Sequence, residues 1–225
     1  MISFTRVSRG RAQIFVIDPF TGEERALTRG HFNSEQPAWS PDGSGVVLAT
    51  NADSGLTNLI IADRERRDRH EVIASARGAV NFLWSPDATS IGYISRQQEL
   101  ESVVSRLHLR EIANGRETIL EDDSIFAFFW SPDSRLVAYF VPSVVSQNEG
   151  TDQAVVLTLR VYDRERNSTV DIETFVPTPQ FIAVIRLFDQ YGQAARLWSP
   201  DSKNLLYAAQ TEQGPTIMVA RAAGN

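Results

Sequence analysis

The stretch Trp39-Ser40-Pro41-Asp42 decides how this sequence folds, because it returns as Trp84-Ser85-Pro86-Asp87, Trp130-Ser131-Pro132-Asp133 and Trp198-Ser199-Pro200-Asp201. These copies hold all four tryptophans of the chain. Recurrence of this kind marks a repeat architecture, in which each copy is one supersecondary unit that cannot bury its apolar face alone. Proline suits the second position of a type I turn, where φ is about −60°, and Ser and Asp bond the local backbone there. The motif therefore reads as the end of one strand, a tight turn and the start of the next. The residue after the Asp is Gly43, Ala88, Ser134 or Ser202. Only one copy has glycine, so a left-handed backbone is not expected there.

Seven residues after each tryptophan stand Val46, Ile91, Val137 and Leu205, and nine after it Leu48, Tyr93, Tyr139 and Tyr207. The positions between them are Val47, Gly92, Ala138 and Leu206. Side chains alternate across a strand, so a strand apolar on both faces is expected to be buried on both. A third strand follows at 58–62, 106–113 and 157–162, and at 13–17 before the first motif. Asp63, Asn114-Gly115, Asp163 and Asp18 close these strands as turn formers. A fourth, more polar strand is expected at 71–74, 116–120, 168–174 and 23–28, and its polarity suits an exposed edge. The tryptophans stand 45, 46 and 68 residues apart. Four antiparallel strands at about 40–45 residues per unit is the pattern of a β-propeller blade. The fold class is therefore all-β: a propeller of four-stranded blades with about five represented.

The units run roughly over 1–34 (partial), 35–78, 79–123, 124–178 and 193–225 (partial), within one domain spanning 1–225. The long interval before Trp198 holds two insertions: a polar loop over 142–153 and a segment over 177–192. Thr178 can cap a helix, Pro179 suits its first turn and Gly192 can end it. Phe181, Val184, Ile185, Phe188 and Tyr191 recur at helical spacing. One short helix is expected over 179–191, lying across a face of the propeller or plugging its channel mouth. The first unit lacks its tryptophan strand and the last lacks a fourth strand. These leftovers overlap, so either five blades close imperfectly or, as the favoured expectation, the array is an arc of a larger propeller, whose open strand edges would invite edge-to-edge self-association.

Composition narrows the function. The chain has 225 residues, 42% hydrophobic and 22% charged, long enough to bury a sizeable core. A net charge of −6 argues against a nucleic-acid partner. Without cysteine there are no disulfides, thiolate zinc sites or cysteine nucleophiles, which suits an oxidising compartment. Residues 1–6 carry no apolar signal-peptide core, and no run approaches the ~18 apolar residues of a membrane span. An export signal or anchor would lie on a longer parent chain.

Little in the sequence points to catalysis. The Gly-x-Ser-x-Gly elbow of a serine hydrolase is missing. His31, His70 and His108 fall at different points of different repeats and read as surface or loop residues. Asp42, Asp87, Asp133 and Asp201 could be imagined as a metal ring, but each is explained by its own turn. The four tryptophans read as packing residues. The clusters 64–69 and Arg164-Glu165-Arg166 read as solvated turns, and Glu121-Asp122-Asp123 as loop charge rather than a calcium site. No catalytic residue, cofactor or metal is expected. The exceptional segment is the helix, since insertions in repeat arrays tend to carry function. Arg186, Asp189, Gln190 and Tyr191 are its candidate partner-binding residues. The alternative is that Phe181, Val184, Ile185 and Phe188 only seal the channel.

The four Trp-Ser-Pro-Asp copies resemble the WD-like repeats of the TolB family, the periplasmic propeller of the Tol–Pal envelope system. The same repeat is similar to those in propeller domains of prolyl-oligopeptidase-type and tricorn-like proteases. The stretch from Phe188-Asp189-Gln190-Tyr191 to Leu197-Trp198-Ser199-Pro200-Asp201 also resembles uncharacterised bacterial TolB-like proteins. Nothing here matches the additional α/β domain of TolB or the α/β-hydrolase domain of the proteases. The resemblance implies a propeller, a bacterial periplasmic or extracellular setting and protein binding. The expected function is a non-enzymatic scaffold for a protein or peptide. The alternatives are a substrate-access propeller of a multidomain peptidase and a structural sensor or anchor propeller.

Overall fold

A computed structural model describes residues 1–8, 10–29, 32–51, 55–63, 70–78, 80–99, 102–120, 124–147, 152–191 and 197–222. Five antiparallel sheets follow one another along the chain. The first holds β1 (Ile2–Ser8), β2 (Arg11–Ile17) and β3 (Glu24–Ala26). The second runs β4 (Asn33–Trp39), β5 (Gly45–Asn51), β6 (Leu56–Asp63), β7 (His70–Arg77). The third runs β8 (Val80–Trp84), β9 (Ser90–Glu99), β10 (Ser102–Glu111), β11 (Glu117–Leu120). The fourth runs β12 (Ala127–Trp130), β13 (Leu136–Gln147), β14 (Asp152–Asp163), β15 (Ser168–Phe175). After α1 (Pro179–Ile185) and α2 (Phe188–Tyr191) comes the pair β16 (Asn204–Thr211) and β17 (Gly214–Arg221). The chain divides into two compact units, one of Met1–Trp84, Ala88–Val104 and His108–Thr118, the other of Ser85–Asp87, Ser105–Leu107 and Ile119–Asn225.

In the first unit the doubly apolar strand is buried on both faces, as its sequence requires. On β5, Val46 and Leu48 join Ile14, Val16, Leu27 and Ile60, with Trp39 packed alongside. Val47 and Ala49 point the other way, onto Phe82, Trp84, Ile91 and Tyr93. The second sheet thus contributes to the core on both of its faces. In the second unit the core is aromatic: Phe128, Phe129, Tyr139, Phe140 and Phe175 are all buried.

Three expectations are corrected. The residue after the motif Asp is left-handed in every copy, with φ of 70° at Gly43, 60° at Ala88, 62° at Ser134 and 60° at Ser202. The type I turn closes with the N–H of Gly43, Ser134 and Ser202 donating to the Ser carbonyl three residues back. One left-handed residue must follow such a turn to bring the strands into register as a bulged hairpin. The strand pairing overrides the ordinary penalty for a side chain there.

Within the polar loop expected over 142–153, residues 142–147 and 152–153 are strand instead. β13 and β14 stay paired from Leu136↔Asp163 out to Gln147↔Asp152. Pro142, the first residue of the expected loop, faces Leu157 in this ladder. Its ring nitrogen points away from β14, toward the side where β12 has ended, so no ladder donor is lost. The helix over 179–191, in turn, is broken. α1 ends at Ile185, and the N–H of Leu187 donates to the Val184 carbonyl in a tighter turn before α2 begins. Residue 192, expected to end it, lies outside the described residues.

Candidate functional site

The helices interrupt a strand. Pro177 bridges Ala209 and Trp198 bridges Leu205, both antiparallel. Thr178 N–H donates to Ala208 O, Gln210 N–H to Val176 O and Leu206 N–H to Leu197 O. Residues 176–178 and 197–198 therefore form two ends of one inner strand along β16. The described residues 179–191, with α1 and α2, are an excursion from it. This accounts for most of the long tryptophan interval, and the lengthened β13–β14 hairpin for the rest.

Local chemistry starts the excursion as the sequence predicts. Thr178 is extended, its Oγ1 accepts from the Phe181 N–H at 3.2 Å, and Pro179 opens α1. Phe181, Ile185 and Phe188 turn inward and are buried. Phe188 meets Phe128 and Phe129 edge-on, with ring centroids at 5.1 and 6.2 Å. Phe181 packs on Phe140 and Phe175 at 5.5 and 6.0 Å. Val184, expected among the sealing residues, is instead 46% exposed, and Leu187 is 39% exposed. Of the candidate binding residues, Arg186 caps α1 and is exposed, Gln190 is exposed, and Asp189 is half-buried in the first turn of α2. Tyr191 ends α2. The outcome is an anchored platform with two apolar and two long polar side chains facing solvent. Leu187 was missed because strict helical spacing does not show which face a broken helix turns outward.

The motif residues have structural partners. Each motif Ser donates Oγ–H to its Asp at 2.5–2.6 Å. The same oxygen accepts the backbone N–H five residues on, from Gly45, Leu136 and Asn204. Asp42, Asp133 and Asp201 also accept the N–H of the residue two ahead. The hydroxyl of Ser40 and the donors on Ser44 hold Asp42 below the usual carboxylate range, and Ser199 with the Lys203 N–H does the same for Asp201. Among the described residues no group of three His, Cys, Asp or Glu could hold a metal ion. The tryptophans connect repeats: Trp84 Nε1–H donates to Ala38 O at 3.3 Å and Trp198 Nε1–H to Phe129 O at 3.1 Å. Each acceptor immediately precedes another motif tryptophan. Asp87 and Asp133 N–H donate similarly to the hydroxyls of Ser134 and Ser202 in the following copies. Pro41, Pro86, Pro132 and Pro200 are exposed at the turns.

One constellation has the outline of a catalytic relay. Ser95 Oγ lies 3.4 Å from His108 Nε2, and His108 Nδ1 lies 3.5 Å from Glu117 Oε2. The imidazole stacks on Tyr93 at 4.6 Å, and the Tyr93 hydroxyl donates to Glu117 Oε1 at 2.6 Å. Burial, reinforced by Glu117, pushes the Tyr93 phenol well up. His108 is thus half-buried on β10, not a surface or loop residue. The fourth sheet has the same order of groups without a histidine: Tyr139 faces Arg160, whose Nε lies 2.7 Å from Asp171 Oδ1. An arginine cannot act as a base. A ladder of tyrosine, nitrogen-bearing side chain and carboxylate recurring in two repeats fits cross-strand pairing, and Ser95 is buried.

His70 is exposed at the start of β7. His31, the cluster 64–69 and Glu121–Asp123 lie outside the described residues. In the turn 164–166, Arg164 is not simply solvated: its guanidinium lies 5.2 Å from the Trp130 ring and donates to Ser134 O.

No family model matches the chain. Dipeptidyl-peptidase 5 of Porphyromonas gingivalis is 27% identical over 119 residues, covering 48% of this chain and 17% of that protein. The β-propeller domain of the trilobed protease from Pyrococcus furiosus, described as having an open velcro topology, superposes with a TM-score of 0.63 at 12% identity. That match covers 96% of this chain and 64% of the other. TolB from Acinetobacter baumannii superposes with a TM-score of 0.53 at 15% identity, over 98% of this chain and 51% of its own. The chain thus spans about half the length of TolB and under a fifth of the curated peptidase. Five successive antiparallel sheets, tryptophan connectors between repeats and these superpositions give the chain the β-propeller fold that TolB and the trilobed protease domain also have.

Proposed function

We propose that the chain is a non-enzymatic binding module for a protein or peptide, and that the helical excursion over 179–191 carries the contact. The observation behind this is the division of labour within that segment. Phe181, Ile185 and Phe188 fix it to the aromatic core, while Val184, Arg186, Leu187 and Gln190 face solvent. Exposed apolar residues beside long polar ones, on a rigid platform, suit recognition of another surface. The resemblance to TolB extends this reading to an extracytoplasmic setting. The test is selection of peptides from a display library on the immobilised chain, followed by affinity measurement with the double variant Val184→Asp/Leu187→Asp. The reading expects binding at least about tenfold weaker in the variant. Selected ligands indifferent to a folded double variant overturn it.

A second reading is favoured by the identity to the peptidase over 119 residues. In it the chain is the substrate-access propeller of a multidomain peptidase, and its ligands are extended peptides rather than folded proteins. Competition between a selected peptide and folded protein ligands separates the two.

A further inference from the structure

We propose that Asn114 is a latent site of spontaneous modification. Its side-chain amide converts to a carboxylate when the β10–β11 turn opens, the closed turn holds this back, and the product loosens the edge strand β11. The site is separate from the helical excursion, and its test reads different residues.

Asn114-Gly115 is the one Asn-Gly pair in the sequence. Glycine has no Cβ to hinder its own nitrogen, so that nitrogen can attack the preceding asparagine's side-chain carbonyl. A bond forms between Gly115 N and Asn114 Cγ, and the Cγ–Nδ2 bond breaks. The proton of the attacking nitrogen ends on the departing ammonia. Water then opens the five-membered imide at either of its carbonyls. The product is an aspartate, or its isomer with the backbone routed through the side chain. Water is the sole co-reactant, and Asn114 is exposed to it.

The closed turn engages every reacting group elsewhere. Gly115 N–H donates to Glu111 O at 3.0 Å. Asn114 Nδ2–H donates to Glu111 Oε2 at 2.7 Å, and Asn114 Oδ1 accepts the Arg116 N–H at 2.8 Å. Glu111 thus holds the nucleophile through its carbonyl and the leaving group through its carboxylate. Gly115 takes φ of 71°, and the Arg110 guanidinium covers it: a Cβ there would lie 3.2 Å from Nη2. Ring closure needs the Asn114 side chain to swing onto Gly115 N and that nitrogen to lose its proton. These three bonds must be released first. The open turn is therefore the reactive state, and the rate follows how often the turn opens.

Conversion has a structural result. The new carboxylate faces that of Glu111 where an amide had donated to it, and like charges at that range repel. The isomer also lengthens the backbone inside a tight turn. β11 is four residues long and lies at the edge of its sheet. Glu117 begins it, accepts from the Tyr93 hydroxyl and lies 3.5 Å from His108 Nδ1. A loosened turn draws Glu117 away from both.

The test incubates the full chain at neutral pH beside a synthetic peptide of residues 110–118, Arg-Glu-Ile-Ala-Asn-Gly-Arg-Glu-Thr. Peptide mapping by mass spectrometry follows aspartate and isoaspartate at position 114. The folded chain is expected to convert at least about tenfold more slowly than the peptide. Urea short of the unfolding midpoint brings its rate toward that of the peptide. Glu111→Ala, at an unchanged midpoint, converts about fivefold faster than the parent, the worth of one hydrogen bond. Glu111→Gln keeps an acceptor and falls between the two. Asn114→Asp, which carries the product's charge, unfolds at lower urea than the parent. The proposal is overturned if folded chain and peptide convert alike, if Glu111→Ala at an unchanged midpoint matches the parent, or if Asn114→Asp is as stable as the parent. Should Glu111→Ala shift the midpoint, the urea series on the parent decides, and a rate independent of urea overturns the proposal.

Discussion

Replacing Ala88 by glycine should stabilise the protein, although it removes a side chain. Ala88 has φ of 60°, where an L-residue carries a penalty of about 1–2 kcal/mol that glycine does not. Glycine costs about 0.4–1 kcal/mol in extra unfolded-state freedom. The net gain is about 0.5–1 kcal/mol. Gly43→Ala is the mirror experiment. A Cβ on Gly43 meets nothing within 4 Å, so steric contact adds nothing and the loss is again about 0.5–1 kcal/mol. Ser134 and Ser202 share the backbone but differ in chemistry, since their hydroxyls accept from Asp87 and Asp133 N–H at 3.0 and 3.2 Å. Losing such a bond costs about 1 kcal/mol, so Ser134→Gly and Ser202→Gly come out near neutral. Urea unfolding followed by tryptophan fluorescence measures all four. For a slope of about 2 kcal/mol/M, Ala88→Gly raises the midpoint by about 0.3–0.5 M. A destabilised Ala88→Gly, or a Ser134→Gly as stabilised as Ala88→Gly, refutes the reasoning.

Phe188→Ala removes a wholly buried ring set against Phe128 and Phe129 and should cost about 3–5 kcal/mol in urea unfolding of the second unit. Trp198→Phe keeps most of the packing but loses the bond to Phe129 O, for a loss of about 1–2 kcal/mol in the same assay. Arg135 holds the Asp163 carboxyl below its ordinary value at a contact of 2.6 Å. The unfolded chain therefore takes up that proton first. This contribution is fully present above the ordinary carboxylate pKa and is lost as pH falls through the lowered folded value. Arg135→Ala should flatten stability against pH in the range below about pH 4, read by thermal melts across an acid series.

Strand order and burial were legible because the four motifs act as a ruler and because Val46 to Leu48, apolar on both faces, admit one reading. The capped start at Thr178-Pro179 was legible for the same reason: local chemistry decides it. What was not legible depends on pairing at a distance. Ala88, Ser134 and Ser202 gave no sign of a left-handed backbone, since the bulged hairpin imposes it. The ladder beyond Pro142 left no sign, because the proline's harmless orientation is visible only once β12 is known to end. The split strand of 176–178 and 197–198 has no local signature, as its partner β16 lies downstream. His108 was misplaced because Glu117 meets it across neighbouring strands. Val184 and Leu187, the exposed apolar pair on the excursion, depend on where the helix breaks.

The central claim, that the excursion over 179–191 is a binding surface, meets its most direct test in isothermal titration calorimetry. The tightest display-selected peptide is titrated into the parent chain and into Val184→Asp/Leu187→Asp, with equal urea midpoints as the condition for comparison. The account predicts at least about a tenfold rise in Kd for the variant. An unchanged Kd in a folded variant contradicts it.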